Sequence, residues 1–232
     1  MHNKHRKRFR EKFIKHGVDA FKDHEIIELF LYYAIPRKNT NEIAHELMNK
    51  FGSISGIMDA PIDSLLEVNG IGESSAVLLK LFPHMCRIYL SGKCDNKEKI
   101  IDINNVGDIF QNKFVGRTNE HSMVLLMDSK LRQLYIGELD EGDLGEVNMC
   151  VKKIIKLLLF YNANRVVIAH NHPSGFALPS KQDLYVTANI YKSLKLVNAV
   201  LLDHIIVADN DYVSLSQSGL WNDVKSGVYD EL

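Results

Sequence analysis

Arg165-Val166-Val167-Ile168-Ala169-His170-Asn171-His172-Pro173-Ser174-Gly175 is an apolar run that ends on two histidines and then turns. Its β-branched residues and the closing Pro-Ser-Gly read as a buried strand followed by a tight loop. Strand side chains alternate between faces, so His170 and His172 emerge on one side, close enough to share a metal ion. Downstream, Pro179-Ser180 opens a helix in which Ser180 is the N-cap and Asp183 the N3 residue. Two imidazoles and one carboxylate make three protein ligands. One zinc ion so held keeps its fourth position open, as catalytic zinc sites do and structural ones do not.

The histidine pair alone is weak evidence, because ten histidines in 232 residues give about 0.4 His-x-His pairs by chance. The competing reading is a capped helix after a strand whose histidines only hydrogen-bond. Context raises the metal reading, since the turn, the cap and the acidic residue fall where a metal site needs them, but the residues alone leave both readings open.

Composition bounds the rest. A chain of 232 residues suits one large domain or two small ones, and 46% hydrophobic with 25% charged residues can bury a core. The longest apolar stretch, Ile154 to Tyr161, is interrupted by Lys156 and is too short to span a bilayer, so no membrane association is expected. The amino end is basic and lacks the apolar segment of a signal peptide, which predicts a cytoplasmic protein. Cys86, Cys94 and Cys150 match neither a zinc knuckle nor a disulfide framework and read as reduced thiols. Residues 1–15 carry Lys4, Arg6, Lys7, Arg8, Arg10, Lys12 and Lys15 against Glu11 alone. That excess could meet phosphates or an acidic protein, or form a solvated, partly frayed helix.

Residues 1–90 read as a helical domain, punctuated by Pro36, Gly52 and Pro61. Within it, Leu66-Glu67-Val68-Asn69-Gly70-Ile71-Gly72-Glu73-Ser74-Ser75-Ala76 is similar to a helix-hairpin-helix motif, whose glycines let backbone amides approach a phosphate. Glu73-Ser74-Ser75 follows where a basic residue would help, and the nearest lysine is Lys80. Nucleic-acid contact and a scaffold or docking role both stay open. Residues 91–99 are polar, glycine-containing and charged, and 91–103 read as a linker. Residues 104–226 then give strand, strand, helix, strand, helix, strand, strand, with hairpin turns at Asp128-Ser129-Lys130 and Asp209-Asn210-Asp211, and 227–232 form a tail. The fold class is α/β with a mixed, partly antiparallel sheet. His204, on an apolar strand, reads as a hydrogen-bonded core residue or a support behind a ligand.

The helical region with its hairpin, the His170-Asn171-His172-Pro173-Ser174-Gly175 signature and the later Asp203-His204-Ile205-Ile206-Val207 strand resemble the bacterial RadC proteins over almost the whole length. The resemblance implies a small all-helical N-terminal domain followed by a JAB/MPN (JAMM) domain, cytidine-deaminase-like in architecture, of the zinc metallopeptidase group. It implies His170, His172 and Asp183 as ligands of one Zn2+, Ser180 as the family's serine, and Glu120 as its upstream glutamate. Glu120 would take a proton from the attacking water and pass it to the leaving amine. Ser180 would donate to the developing oxyanion. Glu138, Glu141, Asp143 and Glu146 compete for the role of Glu120 but read as an acidic, loop-like segment, either a solvated connection or a substrate-facing loop. Cys150-Val151-Lys152-Lys153 departs from the His-Pro-Arg-Glu of many family members, so no partner contact is carried over for that segment.

The expected function is a zinc-dependent hydrolase acting on a peptide or isopeptide bond in a peptide or protein substrate. The alternative is a DNA-associated repair or recombination protein, bound through its N-terminal helices, with a structural or vestigial metal domain. A two-metal nuclease fits less well, because one His-His-Asp set holds one metal.

Overall fold

The computed structural model of the chain describes residues 2–36, 38–94, 100–141, 147–173, 175–209 and 211–229. They fall into two compact units, Met1–Cys86 and Arg87–Leu232. Among the described residues, no helix is long and apolar enough to cross a membrane. Neither Cys86 nor Cys150 is in a disulfide.

The first unit is built from α1 (His2–His16), α2 (Asp23–Leu31), α3 (Thr40–Phe51), α4 (Ile54–Asp59), α5 (Ile62–Leu66) and the first part of α6 (Glu73–Cys94). Asn39 caps α3 by accepting from the Asn41 amide, and Gly52 ends it at φ 78°. Ile27, Leu31, Leu47, Ile57, Leu65 and Leu79 form the core. Between α5 and α6, Gly70 adopts φ +93°, and a Cβ there would lie 2.7 Å from Ile43 Cδ1. Both the backbone angle and the close approach therefore demand glycine.

The basic helix α1 is docked rather than frayed. Arg6 is buried and donates to the carbonyls of Tyr32 (3.3 Å), Ile35 (2.6 Å) and Lys38 (2.8 Å). Phe9 packs against Phe21 and Tyr32. Glu28, 1% exposed, pairs with His5 Nε2 at 3.0 Å and accepts from Tyr32 Oη at 2.7 Å and Asn41 Nδ2 at 2.8 Å. Its carboxylate thus ties together α1, α2 and α3.

The second unit holds α7 (Val106–Phe114), β1 (His121–Met127), β2 (Gln133–Glu141), α8 (Val147–Tyr161), β3 (Arg165–Asn171), α9 (Lys181–Leu196), β4 (Val200–Ala208), β5 (Asp211–Ser214) and α10 (Trp221–Ser226). The sheet order is β2-β1-β3-β4-β5. Only β3 and β4 run parallel; the other neighbours are antiparallel. The expected mixed sheet is therefore present. Its two faces follow strand alternation: Val124, Leu126, Val166 and Ile168 pack with α8, α9 and α10, whereas Met123, Leu125, Val167 and Ala169 pack with α7.

Three sequence expectations need correction. Residues 91–94 of the expected linker are helical, because α6 runs through Pro83 to Cys94. Ile100 and Ile101 are also no linker: Ile100 bridges Arg132, and the Ile101 amide donates to Leu131 O at 2.8 Å. Residues 95–99 lie outside the described set. Glu138 and Glu141 sit on β2, paired with Met123 and His121, rather than in a loop. Asp143 and Glu146 fall outside the described residues. α7 is an addition to the expected order of elements, and its Val106, Phe110 and Phe114 carry helical spacing and are all buried.

Removing the Glu28 carboxylate would strand three buried or half-buried partners. Glu28→Ala is expected to lower stability by about 3 kcal/mol, against about 1 kcal/mol for Tyr32→Phe. Urea unfolding curves of both variants measure this, and equal small losses would show that the carboxylate does not tie the helices.

Candidate metal centre

The site lies where β3 ends. Because Val166 and Ile168 face α9, the same alternation turns His170 toward that helix and Asn171 away from it. His172 follows one residue after the strand, its amide donating to Val207 O at 2.8 Å, which carries the chain past the end of the sheet in register. The His170 and His172 Nε2 atoms are 2.9 Å apart.

Asp183 meets them from the first turn of α9. Its Oδ1 is 3.2 Å from His170 Nε2, and its Oδ2 is 3.6 Å from His172 Nε2. Ser180 forms the capping box expected from the sequence: its Oγ accepts from the Asp183 amide, and its own amide and hydroxyl each donate to Asp183 Oδ2 at 2.7 Å. Burial alone would raise the pKa of the Asp183 carboxyl. The neighbouring His170 ring and hydrogen bonds from the Ser180 hydroxyl and amide outweigh it and hold the group well below the usual carboxylate range.

Glu120 immediately precedes β1, and its Oε1 is 4.0 Å from His170 Nε2. Ligand atoms of Glu120, His170 and His172 lie within 4.8 Å of one another. The five residues singled out from the sequence thus stand in one neighbourhood, and two different carboxylates approach the imidazole pair. Asp183 is the closer and the more buried of the two, with side-chain exposure of 5% against 32% for Glu120.

The donor set suits a zinc ion. His172 Nδ1 is 3.2 Å from Phe176 O; a carbonyl can only accept, so the neutral ring carries its proton there and presents a bare Nε2 to the site. That lone pair, the facing Nε2 of His170 and an ionised carboxylate are three of the ligand types zinc takes, on side chains already held in place.

Three supporting residues were not legible in the sequence. Asn171 is buried and clamps the segment that carries Glu120: its Oδ1 accepts from the His121 amide at 2.8 Å and its Nδ2 donates to Asn119 O at 3.0 Å. Arg117 contacts His121 Nδ1 at 2.9 Å and forms an ion pair with Glu138, which accounts for that competing carboxylate. Thr187, on α9, lies 2.6 Å from His204 Nδ1. His204, wholly buried, places its Nε2 2.8 Å from His170 Nδ1, in keeping with a support behind a ligand. Burial, reinforced by the neighbouring His170, holds the His204 pKa well below the usual imidazole range. His121 packs with Arg117 rather than joining the metal-facing rings.

Comparison with known proteins places this geometry. Residues 100–220 match the RadC-like JAB domain family, and residues 2–77 match the UPF0758 N-terminal family. A UPF0758 protein of Fusobacterium nucleatum subsp. nucleatum is 37% identical over 224 residues, which cover 93% of this chain and 96% of that protein. With both parts matched in this order and a relative aligned along nearly its whole length, the chain belongs to the RadC-like JAB domain family of UPF0758 proteins.

Proposed function

We propose that the protein is a zinc-dependent hydrolase of the metallopeptidase type that cleaves a peptide or isopeptide bond. The observation that carries this reading is the convergence of His170 Nε2, His172 Nε2 and the Asp183 carboxylate, with a second, more exposed carboxylate 4.0 Å from His170. His170, His172 and Asp183 are the proposed ligands of one Zn2+ per chain. Zinc bound there supplies a Lewis acid for the carbonyl oxygen and lowers the pKa of a water toward about 7.

Glu120 is the proposed proton carrier, accepting at its carboxylate from the attacking water and delivering to the leaving amine. Asn171 keeps that carboxylate in reach by holding the backbone on both sides of it. Ser180 acts first on Asp183, since its single hydroxyl proton is directed at Oδ2. Donation to an oxyanion requires that proton to turn away, while the Ser180 amide continues to hold the ligand.

Purified protein is expected to hold about one zinc per chain, and His172→Ala to lose it, as read by elemental analysis. Glu120→Gln should retain the metal and lower cleavage of a fluorescence-quenched peptide library at least 100-fold. Asn171→Ala should retain the metal with a smaller loss. Zinc missing from Glu120→Gln would instead make that carboxylate a ligand.

DNA association through the first unit is the second reading, favoured by the glycine hairpin between α5 and α6. Against it, basic groups of the first unit are already engaged: Arg6 with three carbonyls, Lys12 with Glu25 at 3.2 Å, and Lys80 with Met58 O at 2.7 Å. Duplex binding in a filter assay is expected to be weak, to vanish by physiological salt, and to be unaffected by Lys80→Ala. A tenfold loss in Lys80→Ala, with a salt slope reduced by about 0.9, would place a phosphate at the hairpin.

A further inference from the structure

We propose that Thr187 and His204 are positioning residues that fix the tautomer of His170, placing its proton on Nδ1 and its Nε2 lone pair toward the metal centre. The hydrogen-bond directions follow from one fixed end. Thr187 Oγ1 lies 2.5 Å from the main-chain oxygen of Asp183. A carbonyl oxygen only accepts, so the single hydroxyl proton of Thr187 is spent on that contact. His204 Nδ1, 2.6 Å from the same Oγ1, must then be the donor. His204 has no exposed surface and both its ring nitrogens are taken up inside the fold, Nδ1 by Thr187 and Nε2 by His170; an imidazole so enclosed holds a single proton, and a proton on Nδ1 leaves Nε2 bare. His170 Nδ1, 2.8 Å away, therefore donates to His204 Nε2, which leaves Nε2 as the ring nitrogen whose lone pair a metal can take.

The relay closes on itself. It starts at the main-chain oxygen of Asp183 and ends at His170 Nε2, which is 3.2 Å from the carboxylate of the same Asp183. One turn of α9 thus sets the proton position on a histidine of β3 through a histidine of β4. Metal-binding imidazoles commonly donate their second N–H to a carboxylate or carbonyl. Here an imidazole and a hydroxyl stand in that place. His204 faces α9 because β4 carries a register shift: Val166 pairs with Leu201 but Val167 with Asp203, so both Leu201 and His204 turn to that side.

The consequence for metal binding rests on the zinc reading above, but the proton positions do not. Two-bond 1H–15N spectra of the 15N-labelled protein read imidazole tautomers directly. His204 is expected as the Nδ1–H form in metal-free and zinc-loaded protein alike, although free imidazole side chains in water favour Nε2–H. An Nε2–H form of His204 in the wild type overturns the inference without any variant. Zinc affinity, measured by competition with a chromophoric chelator, should fall about 10- to 100-fold in Thr187→Val. It should return in Thr187→Ser, which keeps the hydroxyl, and should survive better in His204→Gln, which retains a donor and an acceptor, than in His204→Leu. Unchanged affinity in a folded Thr187→Val protein sinks the inference and leaves the zinc reading standing. A wild type that takes up no zinc sinks that reading, while the His204 spectrum still decides the relay.

Discussion

A buried, ionised carboxylate organises the second unit. Taking a carboxylate out of water costs several kcal/mol unless hydrogen bonds replace the lost solvent, and Asp183 receives them from the Ser180 amide and hydroxyl, with His170 Nε2 3.2 Å from its other oxygen. These contacts fix the start of α9 against the end of β3. The same helix carries the crossover from β3 to its parallel neighbour β4 and packs Leu184, Ile190 and Leu194 onto the sheet. A one-residue slip of β3 would exchange His170 for Asn171 on the α9 face, leaving the carboxylate without its imidazole and the Glu120 segment without its clamp. Register and site geometry are therefore specified by the same contacts.

Local periodicity explains what was legible in the sequence. The strand repeat puts His170 and His172 on one side, and the Ser180–Asp183 spacing encodes a capping box; both depend on neighbours within a few residues. The five candidate site residues do stand together, although their roles remain the proposal. Other features depend on distant partners and leave no local trace. Asn171 reaches His121, fifty positions back, and Thr187 reaches His204, seventeen positions on. The register shift at Leu202 exists only relative to β3, so alternation counted from Leu201 alone would send His204 to the wrong face. The acidic, glycine-containing end of β2 looks like a loop until its pairing with β1 is known.

The amino end shows the same limit for charge. Composition reports a concentration of positive side chains but not what each one touches. Arg6 spends its guanidinium on three carbonyls at the end of α2 and beyond, and Lys12 pairs with Glu25 while lying over the Phe21 ring at 4.2 Å. Such groups contribute to docking a helix, and the basic count alone overstates what is free to meet a phosphate.

The proposed division of labour between the two carboxylates follows from their surroundings, since Asp and Glu are chemically alike. A ligand must be ionised and immobile. Asp183 meets both needs, being 4% exposed and anchored through Oδ2 by two donors from Ser180. A proton carrier must exchange with solvent and adjust its reach as bonds change. Glu120 has the longer side chain and greater exposure, and Asn171 positions the backbone on both sides of it. Exchanging the two types would put an extra methylene into the tight capping turn and shorten the reach of the carrier. The sequence's choice of aspartate after the cap and glutamate before β1 thus agrees with the role proposed for each.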